Sequence, residues 1–131
     1  MEAAAPSSPR TAPGDGHQTQ EVWSWYFFRV SGLLLVILAL GHLVIMHVLN
    51  SVDTIDYDWV AARWQSVGWR IYDWLLLTLA LLHGMNGLRV VVDDYIHSPR
   101  WRPVLTVALW AVTVLFLVLG TATLVLFQPV R

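Results

Sequence analysis

From Val30 to Val52 the chain runs twenty-three residues without a formal charge, and from Pro103 to Val130 it does so again. About twenty apolar residues in a helix cross a hydrocarbon core of about 30 Å, so each run is long enough to span a bilayer. Inside lipid every backbone N–H and C=O has to be satisfied within the protein, which makes these runs helices. The rest of the composition agrees: 56% of residues are hydrophobic, 13% are charged, and the mean hydropathy is +0.56. The expected fold class is all-α and integral to a membrane.

Several function classes fall away at this stage. The formal net charge is −1 and no basic patch is long enough to follow a phosphate backbone, so nucleic acid is not an expected partner. Cysteine is absent, which removes disulfides, iron–sulfur ligation and thiol chemistry within the chain. Any metal has to be held by histidine or oxygen. There is no catalytic dyad, triad or flavin motif, so the chain is not expected to carry out substrate chemistry alone.

Taken in order, residues 1–21 are rich in Pro, Ala, Ser and Gly without apolar periodicity and read as a disordered polar tail. No apolar core follows a basic start there, so the tail is not read as a secretory signal. Residues 22–131 form a membrane domain with three spans, at about 25–50, 69–95 and 103–127. Trp23, Trp25, Tyr26, Phe27 and Phe28 form an interfacial belt at the start of the first. Trp59, Val60, Trp64 and Val67 recur at helical spacing and predict a short helix on the membrane surface, between the first and second spans. The second span is the weakest by hydropathy, since Asp73 and Arg89 leave only Trp74 to Leu88 between them. Thr113, Gly120 and Thr121 are candidates for close packing of the third span against its neighbours. Arginines near the span ends number five on one side and three on the other, which favours a cytoplasmic N-terminus.

Ionisable groups at depth carry the chemistry. His83, Gly87 and Asp94 fall within about 40° of one another on the second span, at 100° per residue. A histidine with glycines beside it lets a flat prosthetic group, or a neighbouring helix, approach the backbone. From the residues alone His83 is either a metal ligand or one side of a helix–helix hydrogen bond. Arg29 is shallow enough to snorkel and reads as a headgroup anchor, and Tyr95 as a belt residue at the far interface. Asp94 solvates the helix end or pairs with Arg89. His42 lies thirteen residues in from Arg29 and His83 twelve in from Tyr95, so equal depth in antiparallel spans is expected. Three helices with such groups need something to meet them, whether a second subunit or a cofactor.

His83, followed eleven and twelve residues later by Asp94 and Tyr95, resembles the second-helix signature of the small membrane-anchor subunit of succinate dehydrogenase (succinate:quinone oxidoreductase). Trp23-Ser24-Trp25, then Arg29-Val30-Ser31-Gly32 and Gly41-His42-Leu43, resemble the first helix of that subunit in actinobacterial-type enzymes. The resemblance implies three helices paired with a homologous three-helix cytochrome b subunit in the bacterial inner membrane. An iron–sulfur subunit and a flavoprotein would complete the complex. It implies that haem b is shared between the membrane chains, with His83 as the axial ligand from this one and Arg29 near the propionates. His42 would line the haem pocket or, less simply, supply a second ligand. Tyr95, with Asp94 beside it, would hydrogen-bond a quinone substrate, so the chain would contribute to the quinone site of an enzyme complex but not to its succinate site. The competing expectation is a haem-free structural anchor or scaffold whose histidines only join helices.

Overall fold

The computed structural model describes residues 15–127, with side chains from residue 22 onward. Four helices follow in order: α1 (Asp15–Leu43), α2 (Tyr57–Arg63), α3 (Val67–Tyr95) and α4 (Trp101–Leu126). Helix α1 continues into a π-helical turn, Val44–Val48. A single 3₁₀ turn, Val52–Thr54, then leads to α2. Residues 1–14 of the expected tail lie outside the described residues, and the α1 backbone is already helical from Asp15.

Three helical segments are long and apolar enough to cross a bilayer: Val22–Val48, Val67–Tyr95 and Trp101–Leu126. Each lies within three residues of the span expected for it. The short surface helix also forms, as α2, and Asp56 caps its N-terminus by accepting from the Trp59 backbone N–H at 2.9 Å. Pro103 falls in the first turn of α4, where no intrahelical donor is lost.

The bundle is inside out relative to a water-soluble one. Ala61, Met85 and Leu124 are the buried apolar residues among those described, and Ser31, Arg63 and Thr113 the buried polar ones. Leucine, valine and phenylalanine side chains face outward along all three long helices. With lipid as solvent, burying apolar surface gives little driving force, and small residues and hydrogen bonds hold the helices together instead. Tyr72 donates to the Leu38 carbonyl at 2.6 Å across α1 and α3, and Gly41 leaves the room for its hydroxyl. Between α3 and α4, Trp74 donates to Thr121 at 3.1 Å, and the bare Gly120 backbone takes the Leu77 side chain. Of the α4 residues singled out from sequence, Gly120 and Thr121 make contacts between helices, whereas the buried Thr113 hydroxyl donates back to Leu109 at 2.8 Å. At the α2 end, Arg70 donates to the carbonyls of Trp64 and Phe127, tying α3 to the end of α2 and to the end of α4.

Helices α1 and α3 run antiparallel in a register marked by four contacts. Phe28 lies against Gly87, Ser31 and Gly32 against His83, Gly41 against Tyr72, and His42 near Asp73. This register places every side chain considered below.

Candidate functional site

His83 faces Ser31 and Gly32 across the α1–α3 interface, one turn from the Phe28–Gly87 contact. Its Nδ1 lies 2.9 Å from the Ser31 hydroxyl, and Ser31 is only 2% exposed. The Ser31 hydroxyl has one proton and gives it to the Phe28 carbonyl one turn back, at 3.3 Å. In the tautomer with the ring proton on Nδ1, the hydroxyl accepts from His83 and the lone pair is left on Nε2. Such a second contact orients a metal-binding imidazole and raises its basicity. Two further contacts fix the ring: Phe28 is 4.7 Å away between centroids, and a Cβ on Gly32 would come within 3.2 Å of His83 Cε1.

The glycines divide the work around this imidazole. The side of Gly87 that lacks a Cβ is filled by Phe28, whose Cζ would lie 3.4 Å from one, so this notch serves a neighbouring helix. Gly84 has nothing within 4 Å in its Cβ direction, and the surface next to His83 is open there.

One turn from His83, toward the α1 start and the α3 end, lies a cavity of about 800 Å³. Arg29, Arg89 and Arg102 line it, with Asp93 as the one carboxylate and Asn86 and Gly87 on its floor. Arg102 Nε donates to Asp93 at 2.6 Å, which closes the short α3–α4 loop and uses up most of the negative charge. The Arg29 guanidinium lies 4.1 Å over the Trp25 ring. A stacked guanidinium keeps its in-plane N–H groups available for an anion. The cavity thus carries a surplus of positive charge beside a mostly apolar wall.

Tyr95 ends α3 and is 78% exposed, and Asp94 beside it is exposed as well. It is Asp93, not Asp94, that makes the carboxylate–arginine pair at this end, and its partner is Arg102 across the loop rather than Arg89.

His42 departs from the depth expected of it. Its Nδ1 is 4.0 Å from Asp73, in a different cluster near α2. Gly32, which touches His83, is ten residues from His42 on α1, and Asp73 is ten residues from His83 on α3. Ten residues of helix rise about 15 Å, so the two imidazoles stand at different levels and cannot bind one metal ion between them. The equal-depth arithmetic took Arg29 and Tyr95 as level; the actual register sets Arg29 against the region of Asn86 and leaves Tyr95 further out.

Sequence reasoning did not assign Ser31, Asp93, Arg89 or Arg102 to this neighbourhood. Ser31-Gly32, a small polar pair in an apolar helix, was the visible signal for a partner on the facing span. No group of three or more His, Cys or carboxylate side chains is gathered at one place among the described residues, so a bare metal ion has no cage here. A prosthetic group that brings most of its own ligands needs only one imidazole from the chain, and His83, held at Nδ1 by Ser31, can offer Nε2.

These features define a class: a three-span helical membrane subunit with one oriented imidazole at mid-depth and an arginine-lined cavity a turn away. Residues 5–120 match the family described as the succinate dehydrogenase/fumarate reductase transmembrane subunit, and the chain belongs to that family. It is also 27% identical, over 99 residues, to the succinate dehydrogenase 2 membrane subunit SdhC of Mycobacterium tuberculosis, a match covering 75% of this chain and 70% of that one.

Proposed function

We propose that the chain is the membrane anchor of a succinate dehydrogenase-type complex, that it shares a haem b with a second membrane subunit, and that it helps pass electrons from an iron–sulfur subunit to quinone. The observation that carries this reading is the His83 ring, whose Nδ1 is held by Ser31 at 2.9 Å, an arrangement that in the Nδ1-protonated tautomer leaves Nε2 as a ligand. The residues fit the group on three counts. His83 can offer Nε2, the surface at Gly84 is open beside it, and the cavity one turn away offers Arg29, Arg89 and Arg102 to propionates.

When bound, haem b supplies a one-electron store in the bilayer between the iron–sulfur centre and the quinone pool. The chain's own residues do the rest. Ser31 holds His83 at Nδ1, Phe28 and Gly32 fix its ring plane, and Arg29 on Trp25 binds an anionic substituent at the membrane edge. Quinone reduction consumes protons as well as electrons, and the exposed Tyr95 phenol with Asp94 beside it sits at the watery end of α3, where a proton can be delivered. A flavoprotein partner handles succinate, and this chain supplies the lipid-facing half of the route. The family resemblance supports a bacterial inner membrane as its location, and the arginine distribution supports a cytoplasmic N-terminus.

A reduced-minus-oxidised absorption spectrum of the purified complex tests the reading. His83→Ala is expected to abolish or grossly alter the haem b bands while the subunits still co-purify. An unchanged spectrum in that variant, or no haem in the wild-type complex, leaves a structural anchor in its place.

A further inference from the structure

A second cavity of about 490 Å³ runs from the α2 end of the bundle, at Arg63 and Asp73, along α3 as far as Ala80, less than a turn short of His83. Arg63 forms part of its wall and its side chain is only 5% exposed. One guanidinium nitrogen, Nη2, donates to Asp73 Oδ1 at 3.1 Å, and Trp64 Nε1 donates to Asp73 Oδ2 at 2.8 Å. Both carboxylate oxygens are then engaged. Arg63 Nε and Nη1 remain buried with no acceptor, and the ring nitrogen His42 Nδ1 is buried with no hydrogen-bond partner. The guanidinium charge is already balanced by Asp73, so the cluster lacks acceptor oxygens rather than a counter-charge.

The surroundings say what kind of molecule brings those oxygens. Met46, Leu76, Leu77, Ala80 and Leu124 make the rest of the wall apolar, and the cavity opens sideways between helices that face lipid. Trp59 and Trp64 border it and the Trp69 ring lies 4.0 Å under the guanidinium, which sets the cluster at the depth of the headgroups. A free aqueous anion gains nothing from apolar walls. A molecule with acceptor oxygens at headgroup depth and a hydrocarbon chain below them satisfies both halves of the cavity.

We propose that this cavity binds a glycerophospholipid, whose headgroup oxygens accept from the Arg63 guanidinium while an acyl chain lies against Leu76, Leu77 and Ala80 of α3. The polar end of the site, at Arg63 and Asp73, stands about 15 Å along α3 from His83 and does not depend on what His83 binds.

The test uses the assembled complex, washed extensively in detergent, confirmed intact by size exclusion, and extracted for quantification of both phospholipid and quinone. The wild type is expected to retain about one phospholipid per copy of this chain. Arg63→Met removes the donors while keeping apolar length, and Ala80→Phe fills the groove from an exposed position without touching the Arg63–Asp73 pair. Each is expected to lower retained lipid about tenfold or more, a loss of about 1.4 kcal/mol or more in binding. Should Arg63→Met not assemble, Ala80→Phe decides alone. The proposal is overturned if the wild type holds no phospholipid after washing, if retention is the same in the assembled variants, or if a quinone is what the variants lose.

Discussion

The Ser31 hydroxyl stands 2.9 Å from His83 Nδ1 and 3.3 Å from the Phe28 carbonyl, so a single serine on α1 engages one nitrogen of an α3 imidazole and leaves the other to a ligand. Removing it is therefore expected to affect the haem without deleting the ligand. Ser31→Ala should weaken haem retention by roughly 10- to 100-fold, the usual loss when the outer partner of a metal-binding histidine is removed. It should also shift the midpoint potential. Redox titration and haem quantification on the purified complex measure both, and wild-type values in this variant would show that the bond does not orient the ring.

Gly32 is the second control on that ring. A Cβ there would lie 3.2 Å from His83 Cε1, so Gly32→Ala needs a shift of a few tenths of an ångström, and Gly32→Leu cannot be accommodated without moving the imidazole. Overpacking of this kind costs about 1–3 kcal/mol. Graded loss of the haem bands from Ala to Leu is expected, and full bands in the Leu variant would place the ring elsewhere.

For Tyr95 the expected separation is between two assays. Tyr95→Phe removes only the phenol proton, at an exposed position where packing is not at stake. Quinone reduction by succinate should fall by about 10²-fold, the low end of what a positioned proton donor contributes, while reduction of an artificial acceptor is unchanged. Equal retention of both activities would make Tyr95 a belt residue.

The Arg63–Asp73 pair should behave as a structural unit at the α2 end. Asp73→Leu leaves the Arg63 guanidinium, 5% exposed, without its carboxylate and strands the Trp64 indole N–H. Breaking a buried pair from one side costs about 3–5 kcal/mol. Thermal unfolding of the complex in detergent should show a clear drop, and a double change that also replaces Arg63 with Met should recover part of it. No recovery would mean that the loss does not come from an unpaired charge.

How much of this was legible beforehand follows from what each feature depends on. Hydropathy pointed to three long apolar helices, because the need to cross lipid acts on each segment alone, and the tryptophan spacing likewise pointed to a short helix where α2 forms. His83 and Arg29 stood out because an ionisable group in an apolar run is costly wherever its neighbours lie. What meets them did not stand out. Ser31 and His83 are fifty-two residues apart, and nothing local sets the offset between α1 and α3. That offset is decided by where small residues let the helices touch: Gly32 at His83, Gly41 at Tyr72, Gly87 at Phe28.

His42 shows the same limit from the other side. Counting inward from Arg29 and Tyr95 gave equal depths, but the belt residues at two span ends need not be level, and a shift of a few helical turns carries His42 away from His83 and to Asp73. The amino-acid sequence by itself determined a three-span helical membrane protein and its polar residues at depth, since lipid leaves a chain of this hydropathy no other way to satisfy its backbone. Only the tertiary structure decided that Ser31 engages Nδ1 of His83, that Asp93 rather than Asp94 holds Arg102, and that Arg63 is buried with donors to spare, because each depends on the register between helices far apart in the chain.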